Sequence, residues 1–175
     1  MKHAISFFAL VLIGFSCVYA QSISIGPQVA YVKTSDAEKG VLMPAGAVRL
    51  NLGSISIEGL VGYKSEEFSD GYIKATSYPI MATAMLRVFP LIHIEAGLGW
   101  YNTKLEFSGP FQGFPSSTQS EVGYHAGAGV ELELGNLIVT GDIRYVKMGE
   151  LKDLNSINDL KSDFIAILGG LMFRL

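Results

Sequence analysis

The feature that most constrains the fold of this chain is a two-residue alternation of apolar and polar side chains in eight segments. In the third segment, for example, Ile55, Ile57 and Val61 alternate with Ser56, Glu58 and other residues of the opposite parity. Successive side chains of a β-strand point to opposite faces, so this period predicts strands with one apolar face each. The predicted strands are residues 22–32, 42–52, 54–64, 76–88, 92–105, 121–134, 137–148 and 163–174.

The connections between these segments alternate strictly between short and long. The short ones are tight-turn sequences at Gly53-Ser54, Phe89-Pro90 and Gly135-Asn136. The long ones are polar and cover residues 33–41, 65–75, 106–120 and 149–162. With an even number of antiparallel strands, the long loops lie at one end, and the short turns and both termini lie at the other. The pattern predicts an all-β, antiparallel up-and-down barrel.

Alternation does not say whether the apolar face points inward, as in a soluble barrel, or outward, as in a membrane barrel. The aromatic residues distinguish the two, because six of them share the apolar parity and the long-loop end of their strands. Tyr and Trp favour the boundary between lipid and water, so this predicts an aromatic girdle on a lipid-facing exterior. Eight residues separate Ile92 from Trp100, a climb of ~20 Å against an apolar band of ~25 Å. The girdle residues are Tyr31, Tyr63, Tyr78, Trp100, Tyr124 and Tyr145.

The first twenty residues have the layout of a secretory signal peptide. A basic start at Lys2 precedes an apolar run, and small residues lead to a predicted cleavage site after Ala20. We therefore expect residues 1–20 to be removed and residues 21–175 to form one barrel domain. The expected mature chain has no cysteine, since Cys17 is the only one. The net charge of −3 and the lack of a basic run argue against nucleic acid as a partner.

The last segment carries the most specific resemblance to a known family. Ile165, Ile167, Leu171, Phe173 and Leu175 alternate up to the C-terminus. This pattern, with the eight strands, resembles the small eight-stranded outer-membrane β-barrels of the OmpA-like and OmpX-like type. The resemblance implies a monomer in the outer membrane with short periplasmic turns, long extracellular loops and lipid as its surroundings. It also implies insertion by the barrel-assembly machinery, which reads the C-terminal strand. Family members usually end in an aromatic residue, whereas this chain ends in leucine.

The polar parity of the strands predicts the contents of the lumen. Five acids and four arginines fall on that side, and we expect them to form an ion-pair network, with His93 nearby. Such a network is either a polar core or a gated ion path, and the sequence leaves both open. The predicted network is Arg49, Glu58, Arg87, Glu95, Glu131, Glu133, Asp142, Arg144 and Arg174.

Four glycines also share the inward parity. Gly97 is expected to lie opposite Gly127, with Gly99 and Gly129 beside them. Small residues there leave room either for bulky neighbouring side chains or for a small ligand.

No pattern in the sequence predicts a catalytic, cofactor or metal site. His125 is the histidine nearest a long loop, but Gly127 rather than serine follows two positions on, which argues against a lipid A hydrolase. Loop 106–120 carries Phe107, Phe111 and Phe114 among Gly and Pro. These rings are candidates for partner binding if exposed, or they fold onto the barrel mouth.

Together these observations predict a structural or interaction protein of the outer membrane, with a barrel that anchors four external loops and has no enzymatic activity. The alternatives are a narrow or gated porin-like channel, a soluble periplasmic lipid-binding barrel and a lipid A-modifying enzyme. The sequence names no external partner.

Overall fold

The fold was described from a computed structural model covering residues 21–34, 40–68, 72–111, 116–148 and 163–175. The predicted signal peptide and Phe114 lie outside these residues. The described elements are nine β-strands and one 3-10 turn, Gly109–Phe111. The strands are β1 (Gln21–Thr34), β2 (Val41–Leu52), β3 (Ile55–Gly62), β4 (Lys64–Phe68), β5 (Ile73–Phe89), β6 (Ile92–Phe107), β7 (Ser117–Leu134), β8 (Leu137–Met148) and β9 (Phe164–Arg174).

The strands form one closed antiparallel barrel with eight positions around its wall. Strands that follow one another in the chain are paired, except β3 and β4, which both pair with β5; β9 returns to β1 and closes the sheet. Among the described residues, only β4, which lies beyond Tyr63, pairs on one side alone; the other strands have two partners, as a sheet that sits in lipid requires. The predicted eight-stranded up-and-down barrel is confirmed.

The third barrel strand is longer than the sequence indicated and is interrupted. Val61 pairs with Ile80 and Lys64 pairs with Ser77, so the register is the same on both sides of the break. Pro79 lies opposite the break and has no N–H to donate to the ladder, which explains the interruption. The prediction that residues 65–75 form a loop is wrong, because β4 runs to Phe68 and β5 begins at Ile73.

The strands are strongly staggered around the barrel. A path through directly paired residues starts at Leu52 in β2 and returns to β2 at Leu42, so one circuit displaces the register by 52 − 42 = 10 residues. Closing a sheet requires such a stagger, and it fixes the tilt of the strands against the barrel axis at ~35–45°. The path runs through Leu52, Ile55, Leu86, Ile94, Ala128, Ile143, Ile167, Tyr31 and Leu42.

Two of the short turns depend on glycine. Gly53 and Gly135 have φ angles of 75° and 66°, a region that other residues rarely adopt. The turn at Pro90-Leu91 follows a register shift between Arg87 and Phe89. Within the described residues, no helix is long and apolar enough to span a membrane.

Candidate functional site

The interior of the barrel contains most of the described chain's buried charge. Six of the nine residues predicted for the lumen are enclosed, with side chains at most 7% exposed: Arg49, Glu58, Glu95, Glu131, Asp142 and Arg144. The other three, Arg87, Glu133 and Arg174, are about one-third exposed, at 31–36%, and lie near the short-turn end. They line the opening rather than the closed lumen, because each is within four residues of a turn or the C-terminus.

Arg144 is the centre of the enclosed group. Its Nε and Nη2 donate to the two carboxylate oxygens of Glu95 at 2.8 and 2.9 Å, and Nη2 also donates to Glu58 at 3.0 Å. The planar guanidinium fits this bidentate geometry, which a lysine ammonium does not reproduce. Arg144 therefore joins two carboxylates that lie on separate strands, β3 and β6.

Arg49 continues the network toward the short-turn end. It donates to Glu58 at 2.6 Å and also forms an ion pair with Glu131. Glu131 in turn pairs with Arg87 at 3.1 Å. At the opening, Glu133 accepts from both Arg87 and Arg174 at 2.8 Å. Acids and arginines thus alternate along one continuous chain of eight residues: Glu95, Arg144, Glu58, Arg49, Glu131, Arg87, Glu133 and Arg174.

This chain crosses the lumen twice. Arg144 on β8 reaches Glu58 on β3, and Arg49 on β2 reaches Glu131 on β7. Counting β3 and β4 as one barrel strand, each of these pairs joins walls that are four strands apart, the greatest separation in an eight-stranded barrel. An eight-stranded barrel is only wide enough for side chains to fill it. The ion pairs therefore span the middle of the lumen from wall to wall.

A separate pair lies beside the chain. His93 Nε2 and Asp142 Oδ1 are 2.8 Å apart, and both residues are 2% exposed. Glu95 lies two residues from His93 on the inward face of β6. Sequence reasoning placed these residues in the lumen but did not bring them together, since β7 lies between β6 and β8.

The half of the lumen nearer the long connections holds a cluster of buried apolar side chains, where the sequence had predicted only room for bulky neighbours of the inward glycines. Leu60, Met81, Tyr101 and Val146 are buried there, and the Tyr101 and Phe164 rings meet edge to face at 5.8 Å. The sequence does indicate that these residues point inward, because along each strand they have the same parity as the interior charges. Ion pairs thus cross the middle of the lumen, and a cluster of buried apolar side chains lies above them.

The inward glycines do not leave an open channel. Gly97 pairs with His125 rather than lying opposite Gly127, so that prediction is wrong. The prediction assumed that Trp100 and Tyr124 are paired, whereas the stagger pairs Trp100 with Val122. His125 occupies the space beside Gly97, with its Nε2 2.9 Å from Thr83 Oγ1.

The outside of the barrel carries the apolar residues. All six predicted girdle residues point outward and are 42–62% exposed. The rings of Tyr63 and Tyr78 are 5.4 Å apart, and the Tyr145 hydroxyl donates to Asp163 Oδ2 at 2.7 Å. Below the girdle, the exposed side chains include Ile23, Ile25, Val29, Val48, Ile55, Ile57, Val61, Ile80, Leu86, Ile92, Ile94, Leu98, Val130, Leu132, Ile143, Ile167 and Leu171. Soluble monomers rarely expose a continuous apolar surface of this extent, whereas membrane barrels present such a surface to the acyl chains of lipid.

Comparison with solved structures agrees with this architecture. A major outer membrane protein from Thermus thermophilus superposes with a TM-score of 0.66 at 11% identity, covering 90% of this chain and 100% of that one. Ail, the attachment invasion locus protein of Yersinia pestis, gives 0.57 at 18% identity, covering 89% and 97%. Neisserial surface protein A gives 0.57 at 14% identity, covering 89% and 96%. By sequence, the chain matches no protein-family model and no curated protein.

This chain has the fold of the small outer-membrane β-barrels.

The six outward aromatic residues lie at the long-connection end of the exposed apolar surface. The paired residues show how the girdle stays level: Tyr78 pairs with Asn102, two residues beyond Trp100, and Tyr124 pairs with Lys147, two beyond Tyr145. These two-residue steps follow the stagger of the tilted strands. At the other end, Phe173 on the last strand is 51% exposed, and Leu175, which follows that strand, is 81% exposed.

The structure describes two of the three phenylalanines proposed for partner binding. Phe107 ends β6 and is partly buried, and Phe111 ends the 3-10 turn. Phe114 is outside the described residues. Binding by this loop stays a prediction.

Proposed function

We propose that this protein is a non-conducting anchor of the outer membrane, whose closed barrel holds the four connections opposite the short turns on the external side. The observation that carries the proposal is the pair of cross-lumen contacts, Arg144–Glu58 and Arg49–Glu131, between walls four strands apart. The apolar layer around Leu60 and Tyr101 supports it, since a water-filled path would need polar walls along its whole length.

The proposed orientation places the short turns in the periplasm. The girdle lies at the long-connection end, and β6 continues from Trp100 to Phe107 beyond it. Strand extensions and long connections beyond an aromatic girdle are typical of the external face of such barrels. We propose that these connections are the part of the protein that binds external partners.

An anchor of this kind needs no catalytic group. His93 and His125 are both buried in the lumen, against Asp142 and Thr83 respectively. Neither reaches the lipid-facing surface where a lipid A-modifying enzyme would act. This supports a protein that works through its surface and its stability.

The decisive test of the anchor is electrical recording. Refolded protein in a planar bilayer should show no steady conductance, because displacing buried, doubly paired arginines is costly. A variant with Arg49→Ala and Arg144→Ala should conduct more often if it folds, since both cross-lumen contacts are removed. Steady conductance of the unaltered protein that is abolished by Arg87→Gln or Glu95→Gln would establish a channel instead.

A further inference from the structure

The charges of the lumen are not equally matched. The eight-residue chain contains four acids and four arginines, so its formal charges cancel. Asp142 is outside this chain, and among the described residues its carboxylate contacts no guanidinium within salt-bridge distance; its partner is His93. A buried carboxylate requires a counter-charge, because removing it from water is expensive. When the imidazole of His93 is neutral, no positive charge in contact with Asp142 balances its carboxylate.

Three potential metal ligands converge at that position. His93, Glu95 and Asp142 each offer one ligand atom, and these atoms all lie within 4.8 Å of one another. The residues are 2%, 5% and 2% exposed. Atoms bound ~2.1 Å from one ion are at most ~4.2 Å apart, so small side-chain movements bring the three into a coordination shell.

Unused polar atoms point to a missing partner at the same place. Asp142 Oδ2 and His93 Nδ1 are buried and have no hydrogen-bond partner among the described residues. A buried carboxylate oxygen left without a partner costs ~1–3 kcal/mol or more, so such atoms usually have a role. A cation would satisfy the carboxylate and supply the missing charge together.

The strand between the ligands is shaped around them. Gly129 of β7 pairs with both His93 and Asp142, and Gly127 pairs with Glu95. A Cβ atom at Gly129 would collide with Asp142 Oδ1 and would lie 2.7 Å from His93 Nε2. Any larger residue at position 129 would therefore occupy the space in which these two side chains meet.

We propose that His93, Glu95 and Asp142 bind a divalent transition-metal ion in the lumen. One imidazole and two carboxylates are ligands that zinc accepts, and the imidazole favours such ions over magnesium or calcium. Arg144 holds Glu95 through two hydrogen bonds and orients it as an outer-shell partner. Binding replaces the hydrogen bond between His93 and Asp142, so any proton on the coordinating nitrogen is released to solvent. The site is independent of whether the barrel conducts.

The test is refolding the barrel with zinc, because the closed lumen limits later entry. After removal of free metal, the unaltered protein should retain zinc, and cobalt in its place should give a visible absorption band shifted by the imidazole ligand. Asp142→Asn and His93→Gln should each weaken zinc binding by at least about tenfold. Glu133 is an acid at the opening that takes no part in the site. The control variant Glu133→Gln should therefore bind zinc as tightly as the unaltered protein does.

Three results would overturn the proposal. One is that the unaltered, folded protein retains no zinc and gives no cobalt band. Another is that Asp142→Asn and His93→Gln retain as much zinc as the Glu133→Gln control. The third is stabilisation of the unaltered protein by mild acid but not by zinc, which would make a proton on His93 the counter-charge. The cobalt spectrum needs no variant, so it decides the question even if both substitutions prevent folding.

Discussion

At the scale of the residue, burial separates side chains of identical chemistry. Arg144 and Arg174 both point inward from neighbouring strands, but the Arg144 side chain is fully buried between two carboxylates, whereas that of Arg174 is 31% exposed and pairs with one. At the opening, water can solvate a charge whose ion-pair partner has been removed. In the buried middle of the lumen, no water is available to do so. Their contributions to the free energy of unfolding should therefore differ.

We expect Arg144→Met to lower the free energy of unfolding by ~3–5 kcal/mol, because Glu58 and Glu95 lose a buried counter-charge. The matched Arg174→Met should cost ~0–1 kcal/mol, as exposed pairs do. Urea unfolding of the refolded barrel, followed by the fluorescence of the single tryptophan, Trp100, measures both. Equal losses for the two variants would show that the network is not closed to solvent.

At the scale of the element, each strand is amphipathic across its two faces. In β6, Ile92, Ile94 and Leu98 face outward while His93 and Glu95 face inward. The outward row ends at Trp100, which sets the height of the lipid-facing band on this strand. The cost of an outward charge should depend on where along this row it is placed.

We expect Ala96→Arg to destabilise the barrel in lipid by ~2–4 kcal/mol, since Ala96 is exposed midway between Ile92 and Trp100. Leu134→Arg, beside the turn at Gly135, should cost only ~0–1 kcal/mol because the charge reaches the interface. Unfolding titrations in vesicles would compare them. A similar cost at both depths would contradict a lipid-facing exterior.

At the scale of the whole molecule, stability depends on closure. The β1–β9 ladder joins the two ends of the described barrel, from Ser24 with Arg174 to Thr34 with Phe164. Every described strand except the short β4 then pairs on both sides, so the backbone groups of the other strands are satisfied within the sheet. Partial opening is unfavourable because it exposes backbone groups where no water is available.

This closure predicts that the folded protein resists detergent. An unboiled sample should migrate differently from a boiled one on a denaturing gel, since the intact barrel binds less detergent than the unfolded chain. A variant lacking residues 164–175 should show the boiled position only, because the β8 and β1 edges are then unpaired. Identical migration of the boiled and unboiled full-length protein would contradict a membrane-stable barrel.

The sequence by itself determined what depends on period and local turn chemistry. Alternation placed residues such as Val61 and Trp100 on the outer face, and glycine at 53 and 135 marked tight turns. These features are encoded by neighbours along the chain, because a strand presents alternate residues to opposite faces wherever it is placed. The barrel, its strand order and the inward parity of the charges followed from them.

The tertiary structure decided which inward side chains meet. A stagger of ten residues pairs Gly97 with His125, and barrel closure brings Arg144 within reach of Glu58 on the opposite wall. The registers of the β6–β7 and β7–β8 ladders bring His93 to Asp142 across the intervening strand, since both residues pair with Gly129. Contacts between strands that are not adjacent depend on the registers of several ladders at once, since each ladder's offset adds to the next. No local sequence pattern encodes the total offset of the ladders.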